Sequence, residues 1–416
     1  MKQTPETIIL VNFACADIQL LARGIRSEGI YTMVMPYTVS KERIMAEKPS
    51  GLIFCHDGEP AAATAPLAAL GLPTTTASSR TPVAELTAFC KERCGCHGSW
   101  RMASFIDDAV KDIREQVGDS RVVLGLSGGV DSSVVAALVH RAIGDRLTCV
   151  FVNHGLLRKN EAEMVQEIFA RNFSMNLCYV DASKRFLDKL AGVADPEQKR
   201  KIIGKEFIDV FAEAAREIGA PFLGQGTIYP DILESIPMDG NPAGVIKSHH
   251  NVGGLPADLH FKLVEPLERL FKDEVRVVGR LLGLPSELID RHPFPGPSLG
   301  VRHVGPICRD TLAMLREADA IVTDELIKAD WYHKTWQTFA IFVPVKTVGI
   351  KNHQRSYDYV IAIRSINSVD AVTAQVVRLP WELLEKMSER IVHEVNGVNR
   401  VVYDITAKPP GTIEWE

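Results

Sequence analysis

The chain has 416 residues, 46% hydrophobic and 24% charged, with eight cysteines and a net charge of −5. That length suggests two or three domains. The acidic balance argues against nucleic acid as the main partner. The apolar runs fall short of the roughly 18 residues that signal a membrane helix. The cysteine count in so long a chain is not that of a secreted disulfide framework. No apolar signal core opens the sequence, so the expected location is the cytoplasm.

In chain order, residues 8–13 read as a strand and 18–28 as an amphipathic helix with Gly29 as its C-cap. A second strand covers 31–36, a second helix 40–47 and a third strand 52–55. This β-α-β-α-β order predicts a small parallel sheet. Residues 59–82 are weakly patterned, with room for a short helix over 62–70. Cys55 beside His56 is either an activated thiol or an inert strand-end cysteine. Cys90, Cys94, Cys96 and His97 form a C-x3-C-x-C-H cluster, which reads as a metal site or as packing thiols; no second pair lies nearby.

The stretch Val122-Val123-Leu124-Gly125-Leu126-Ser127-Gly128-Gly129-Val130-Asp131-Ser132-Ser133 follows. It begins as a buried parallel strand and ends in a helix with apolar residues at helical spacing. Between them, two glycines allow a nest of N–H groups, and the helix start adds free N–H groups and a positive dipole end. Such a corner suits phosphate or pyrophosphate. There is no lysine in it, so it is not a Walker loop. It resembles the pyrophosphate-binding loop of the N-type ATP pyrophosphatases, Ser-Gly-Gly-x-Asp-Ser, whose members cleave ATP between the α and β phosphates and adenylate a substrate oxygen.

A second buried strand, 147–153, ends in Asn153-His154-Gly155, and a helix over 161–172 and a strand over 177–180 come after it. In a doubly wound sheet ligands gather at strand carboxyl ends, so 151–158 is expected near the adenosine half of ATP. Asp195 caps a helix with Pro196 at its first position. Its Lys199-Arg200-Lys201 run is either a solvated face or an anion contact. Residues 222–231 are a strand breaking into a polar loop. Residues 246–256, with Lys247, His249, His250 and two glycines, read as a mobile lid. Prolines stiffen the loop 291–302. Beyond it, strands over 339–348, 357–364 and 400–405 with a helix over 380–395 make a small α+β unit.

His249-His250-Asn251-Val252-Gly253-Gly254-Leu255-Pro256, His292-Pro293-Phe294-Pro295-Gly296-Pro297 and the ending Lys408-Pro409-Pro410-Gly411-Thr412-Ile413-Glu414-Trp415-Glu416 resemble the GMP synthetase family, over about 94–416. The first ninety residues resemble the start of a class I glutamine amidotransferase domain, at roughly half its usual length. The resemblance implies an α/β fold: a shortened amidotransferase-like domain (1–89), a doubly wound parallel-sheet ATP pyrophosphatase domain (90–300) and a small α+β dimerisation domain (301–416). It implies an ammonia-using ATP-dependent C–N ligase that adenylates XMP at the C2 oxygen and aminates it to GMP, with AMP and pyrophosphate as products.

The same resemblance implies the site. ATP and Mg²⁺ would meet Ser127, Gly128, Gly129, Val130, Asp131, Ser132 and Ser133, with Val152 and Gln225, and Asp131 would touch the metal. Asp131, Lys201, Lys247 and His249 are the catalytic candidates. Arg302, Gln337, Lys408, Ile413 and Glu414 would surround the nucleotide substrate: cations suit a phosphate, and Gln and Glu suit a purine edge. A homodimer is implied, or else docking of the same face within the chain. With half the amidotransferase missing, no glutaminase activity is expected, and nitrogen comes as free ammonia or from a separate amidotransferase subunit. Three positions depart from the family: Asn153 replaces Asp, residues 350–355 replace a glycine-rich turn, and Ser298 replaces Gly, the last two expected near the substrate. They leave open a paralogue acting on a different purine-like nucleotide, and a non-catalytic nucleotide-binding regulator.

Overall fold

Strands β1 (Thr7–Asn12), β2 (Tyr31–Pro36), β3 (Gly51–Cys55) and β4 (Thr74–Ala77) form a parallel sheet in the order β2-β1-β3-β4. The computed structural model describes residues 6–58, 64–234, 259–351, 353–368 and 371–416, without the side chains of 172 and 351. Their contacts separate into two units. One holds residues 6–118, 225–234 and 265–283; the other holds 119–224, 259–264 and 284–416.

In the first unit the apolar alternation of β1 and β3 is buried on both faces, as a parallel sheet covered by helices requires. β4 was expected to be loop; its Thr-rich run has β propensity without apolar alternation. Asp57, past the end of β3, accepts the N–H groups of Ala16 and Ser79, both at 2.7 Å. These bonds hold its carboxyl below the usual range. Cys90 and Cys96 pack in the core with Ile8, Leu10 and Leu86. Burial pushes the Cys90 and Cys94 thiols up to about 12. No group of three potential metal ligands occurs among the described residues. Cys55 is buried and its thiol is also driven up, the reverse of an activated thiolate.

Arg26 pins this unit together. Its guanidinium contacts Glu274 at 2.7 Å and the Arg269 carbonyl at 2.7 Å, and lies 4.6–5.7 Å from the ring centroids of Tyr31, Trp100, Tyr229 and Phe271. Tyr229 in turn accepts the Val34 N–H at 2.5 Å.

The second unit holds a five-stranded parallel sheet: β5 (Val122–Gly125), β6 (Leu147–Asn153), β7 (Asn176–Asp181), β8 (Phe222–Gly224) and β9 (Lys262–Val264), ordered β7-β6-β5-β8-β9. This is the expected doubly wound arrangement. The helix Pro196–Ile218 has the expected cap, with Asp195 accepting the Gln198 N–H at 2.8 Å and Pro196 in its first turn.

The C-terminal sheet is mainly antiparallel: β10 (Gln337–Lys351) pairs with β11 (Gln354–Asn367), which also takes β12 (Gln375–Val376) and, in parallel, β13 (Val398–Asp404). Pro344 cannot donate to the ladder, and the register slips between Val343 and Lys346. The helices Arg309–Lys328 and Trp381–Glu394 cover this sheet, and one hydrophobic core runs from Val123 of β5 through Leu312 to Val398 of β13. The helix Arg309–Lys328 was not anticipated; charged residues interrupt its apolar spacing.

The described residues 350, 351 and 353–355 bear on one expectation. They lie at the tip of the β10–β11 hairpin, with Ile350 81% exposed. Gln337, at the other end of β10, is separated from that tip by roughly 40–45 Å at the usual rise per residue. Within this chain the segment is remote from Gln337, one of the residues expected to meet the nucleotide. His353 at the tip has φ +62° and Ser298 has φ +57°, a backbone region that favours glycine.

Replacing Arg26 with Ala should destabilise the first unit by about 1.5–3 kcal/mol, because it removes the charged hydrogen bonds that the buried guanidinium makes to Glu274 and the Arg269 carbonyl. Denaturant titration of that variant against wild type measures it.

Candidate functional site

The loop after β5 lies where the strand order reverses, with β6 on one side of β5 and β8 on the other. Crevices for ligands open at such points, outside the strand carboxyl ends. Gly128 has φ +72°, which only glycine adopts without strain. Gly129 is extended and caps the helix Val130–Ile143. Ser127 is exposed, Gly129, Asp131 and Ser132 are half-buried, and Ser133 is buried.

Hydroxyls shape the turn. Ser133 and Ser132 donate to the Gly129 carbonyl at 2.7 and 3.2 Å. The Ser127 N–H reaches Ser132 Oγ, and the Gly129 N–H reaches Ser127 Oγ, each at 3.3 Å. Bonds of that length leave the two N–H groups weakly engaged and open to a better acceptor. A glycine-built turn at a helix start with such donors can take an oxyanion. Val152 is buried on β6, paired with Val180 of β7. Gln225 directly follows β8 and is half-buried.

A buried polar row leads away from this loop. The Gly128 carbonyl accepts Arg291 Nη1 at 2.7 Å, and Arg291 Nη2 meets the Glu161 carboxylate. The other Glu161 oxygen accepts the Arg158 N–H at 3.0 Å. The Arg158 guanidinium lies 4.1 Å from the Phe294 ring centroid, with Nε 3.7 Å from Asp319. Asp319 is also 3.8 Å from Arg302 Nη1 and accepts the Ala340 N–H at 3.1 Å. Arg302, fully buried, stacks on Phe339 and forms two bonds to Glu414, at 2.9 and 3.1 Å. Gln337 donates to Glu414 and to the Pro293 carbonyl, both at 3.0 Å.

Three predicted residues, Arg302, Gln337 and Glu414, are therefore in one cluster. Three of its atoms are buried without a hydrogen-bond partner: Arg158 Nε, Arg302 Nη1 and Gln337 Oε1. Each such atom costs on the order of 1–3 kcal/mol to leave unpaired. Beside Arg158, at the carboxyl end of β6, lies a cavity of about 450 Å³ lined by Asn153, Arg158, Lys159, Ser183, Arg309 and Arg316, among others. Asn153 donates to the Tyr179 hydroxyl at 2.9 Å and accepts the Gly155 N–H at 3.0 Å.

The other predicted residues are placed differently. The Ile413 carbonyl accepts Arg364 Nε at 2.9 Å, and Lys408 Nζ donates to the Ala371 carbonyl at 2.7 Å. Lys201 is exposed on its helix. The buried cation of that run is Lys199, which donates to the His303 carbonyl at 2.7 Å and pairs with the Glu416 side chain. Glu416 also accepts the Gly305 N–H at 2.8 Å. Lys247 and His249 lie outside the described residues. Arg158, Glu161, Arg291 and Asp319 were not singled out from sequence. Arg158 and Arg291 do stand beside the glycine- and proline-rich segments that were.

Burial alone would raise the Glu161 carboxyl, but Arg291 and Arg158 outweigh it and hold it below its ordinary range. Burial, with Arg291 and Arg302 close by, pulls the Arg158 guanidinium down to about 10.

Residues 324–415 match the family described as GMP synthase C terminal domain, and residues 101–199 the family described as NAD synthase. The chain is 60% identical over 332 residues to a GMP synthase (glutamine-hydrolyzing) of Carboxydothermus hydrogenoformans, covering 80% of this chain and 65% of that protein. It is 58% identical over 329 residues to the protein of that name from Cellvibrio japonicus, covering 79% and 63%. The match to the one from Fusobacterium nucleatum is also 58%, over 319 residues, covering 76% and 62%. The chain thus spans a little under two thirds of these relatives.

Three histidines are buried around the polar row. His154 accepts the Leu156 N–H at 3.0 Å, His292 stacks on Tyr332 at 4.0 Å, and His303 stacks on Phe342 at 4.5 Å. Burial pushes each down to about 4. In the unfolded chain they take protons near pH 6.5. Their neutral burial therefore contributes stability that is full above about pH 6.5 and is lost as pH falls towards 4. Denaturation midpoints should fall steadily over that window, and His292→Gln should flatten the slope.

Proposed function

We propose that this chain belongs to the GMP synthase family, which its matches over 101–199 and 324–415 and its relatives support, and that it joins ammonia to the C2 carbon of XMP at the expense of ATP. The observation that carries this reading is the continuous polar row within one unit. It runs from the carbonyl of Gly128 in the anion-binding loop to the unsatisfied atoms of Arg158, Arg302 and Gln337.

ATP lies with its β and γ phosphates on the N–H groups and hydroxyls of residues 127–133. The half-buried Asp131 carboxylate in the first helical turn would hold Mg²⁺, which would supply neutralisation of phosphate charge when bound. Lys201, Lys247 and His249 are the candidates for charge stabilisation at the transferring group. The C2 oxygen of XMP attacks the α-phosphorus, and the bond to the bridging oxygen breaks as pyrophosphate leaves. Ammonia then attacks C2, AMP departs with the former C2 oxygen, and loss of a proton gives GMP. The residues act mainly by positioning and by neutralising charge.

Arg302, Gln337, Lys408, Ile413 and Glu414 hold the nucleotide, with Arg158 added to that set. The nitrogen is free ammonia or is delivered by a separate amidotransferase subunit, since the buried Cys55 has the environment of an inert thiol. Pyrophosphate release from ATP in the presence of XMP and ammonium tests this directly. Full turnover is expected. Turnover only with another purine nucleotide would indicate the paralogue, and none with any acceptor would indicate a regulator.

A second copy of the chain is the proposed partner of the C-terminal sheet. Val348 and Ile350 alternate on one face of β10, and Tyr357 stands opposite Val348 on β11; all three are more than half exposed. Such a patch favours pairing with its twin. A double Ile350→Lys, Tyr357→Lys variant should sediment as a monomer where the unaltered chain sediments as a dimer.

A further inference from the structure

The structure assigns a positioning role to the Arg291–Glu161 pair, which sets the orientation of the Gly128–Gly129 peptide in the anion-binding loop and ties that loop to Arg158. The inference rests on the ATP-cleaving reading above and goes beyond it by naming residues outside the loop that control its donors.

In a trans peptide the carbonyl and the following N–H point in opposite directions. The Gly128 carbonyl and the Gly129 N–H belong to one peptide plane. Arg291 holds the carbonyl at 2.7 Å on the buried side, so the N–H is turned to the other side, where it has only the 3.3 Å contact with Ser127. A Gly–Gly peptide has no Cβ on either flank to resist rotation. Without a hold on the carbonyl, this plane can flip, replacing an anion-binding N–H with an anion-repelling oxygen.

The hold is itself fixed. Arg291 and Glu161 are 8% and 4% exposed, and Arg291 uses one nitrogen for the carbonyl and the other for the carboxylate. A planar fork can serve both partners at once, whereas an ammonium on a flexible stem cannot hold that geometry. Glu161 spends its second oxygen on the Arg158 N–H at 3.0 Å. The residue facing the acceptor cluster and the loop facing ATP are thus set by one carboxylate. A Cβ on Gly128 would sit 3.6 Å from Glu161 and 3.7 Å from Arg291, so the pair lies directly against the turn.

The test is kinetic. Arg291→Lys and Glu161→Gln are compared with the unaltered chain by pyrophosphate release at varied ATP and varied acceptor. Arg291→Lys should raise the KM for ATP roughly 10-fold to 100-fold, the range for losing a hydrogen bond from a charged group. The KM for the acceptor should move far less. Glu161→Gln, which keeps the shape, should raise both KM values, because it touches Arg291 and Arg158 together. A double variant no worse than the worse single would mark the two as one unit. An unchanged KM for ATP in folded Arg291→Lys, or an equal rise of both KM values in that variant, overturns the proposal.

A readout on the unaltered chain covers the case in which both variants fail to fold. Inorganic pyrophosphate should slow amide exchange in peptides spanning 158–161 as well as 127–133; protection confined to the loop overturns the proposal. Absence of ATP cleavage by the unaltered chain with any acceptor is a different result and removes the proposed function itself.

Discussion

Charge balance in a buried row is the constraint on which the second unit depends. Arg291, Glu161, Arg158, Asp319, Arg302 and Glu414 alternate in sign, each touching the next through a side chain or the backbone. Taking one such charge out of water costs several kcal/mol, and only close opposite partners offset it. The row therefore stands or falls as a set. Its members come from distant parts of the chain: the segment after β6, the loop 291–302, the helix Arg309–Lys328 and the last residues. Folding the domain means bringing those pieces to one line.

The same constraint leaves the row short of fully satisfied. Phe294 and Phe339 cover the guanidinium faces and exclude water, while Arg158, Arg302 and Gln337 each retain a polar atom without a partner. Frustration of this kind is expected where a ligand completes the bonding. Lys199 and Glu416 lie apart from that incompleteness. Burial lowers the Lys199 ammonium, and Glu416 works against the shift. This closed pair anchors the tail that carries Glu414.

The fold was largely legible from sequence, because strands such as β1, β5 and β6 are continuous apolar runs and their helices carry recognisable caps and spacing. β4 and the helix Arg309–Lys328 were missed, since neither shows clean periodicity. The glycine turn after β5 was legible because glycine and serine at that spacing have few other uses. Arg302, Gln337 and Glu414 were reached through family resemblance, and the structure brings them together. Glu161, Asp319 and Lys199 were not legible: a charged residue in a helix reads as solvent-facing, and only tertiary packing reveals its burial. The hairpin tip was read without its reach, since an altered turn says nothing about how far its strands carry it.

Ser298 couples a left-handed backbone to a buried imidazole. It stands at φ +57°, 4% exposed, where relatives of this fold were expected to place glycine, and its hydroxyl lies 3.3 Å from His154. A side chain in that backbone region costs on the order of 1–2 kcal/mol. The contact with the imidazole offsets part of that cost, so the shape of the turn at 298 and the setting of the His154 ring are tied to each other.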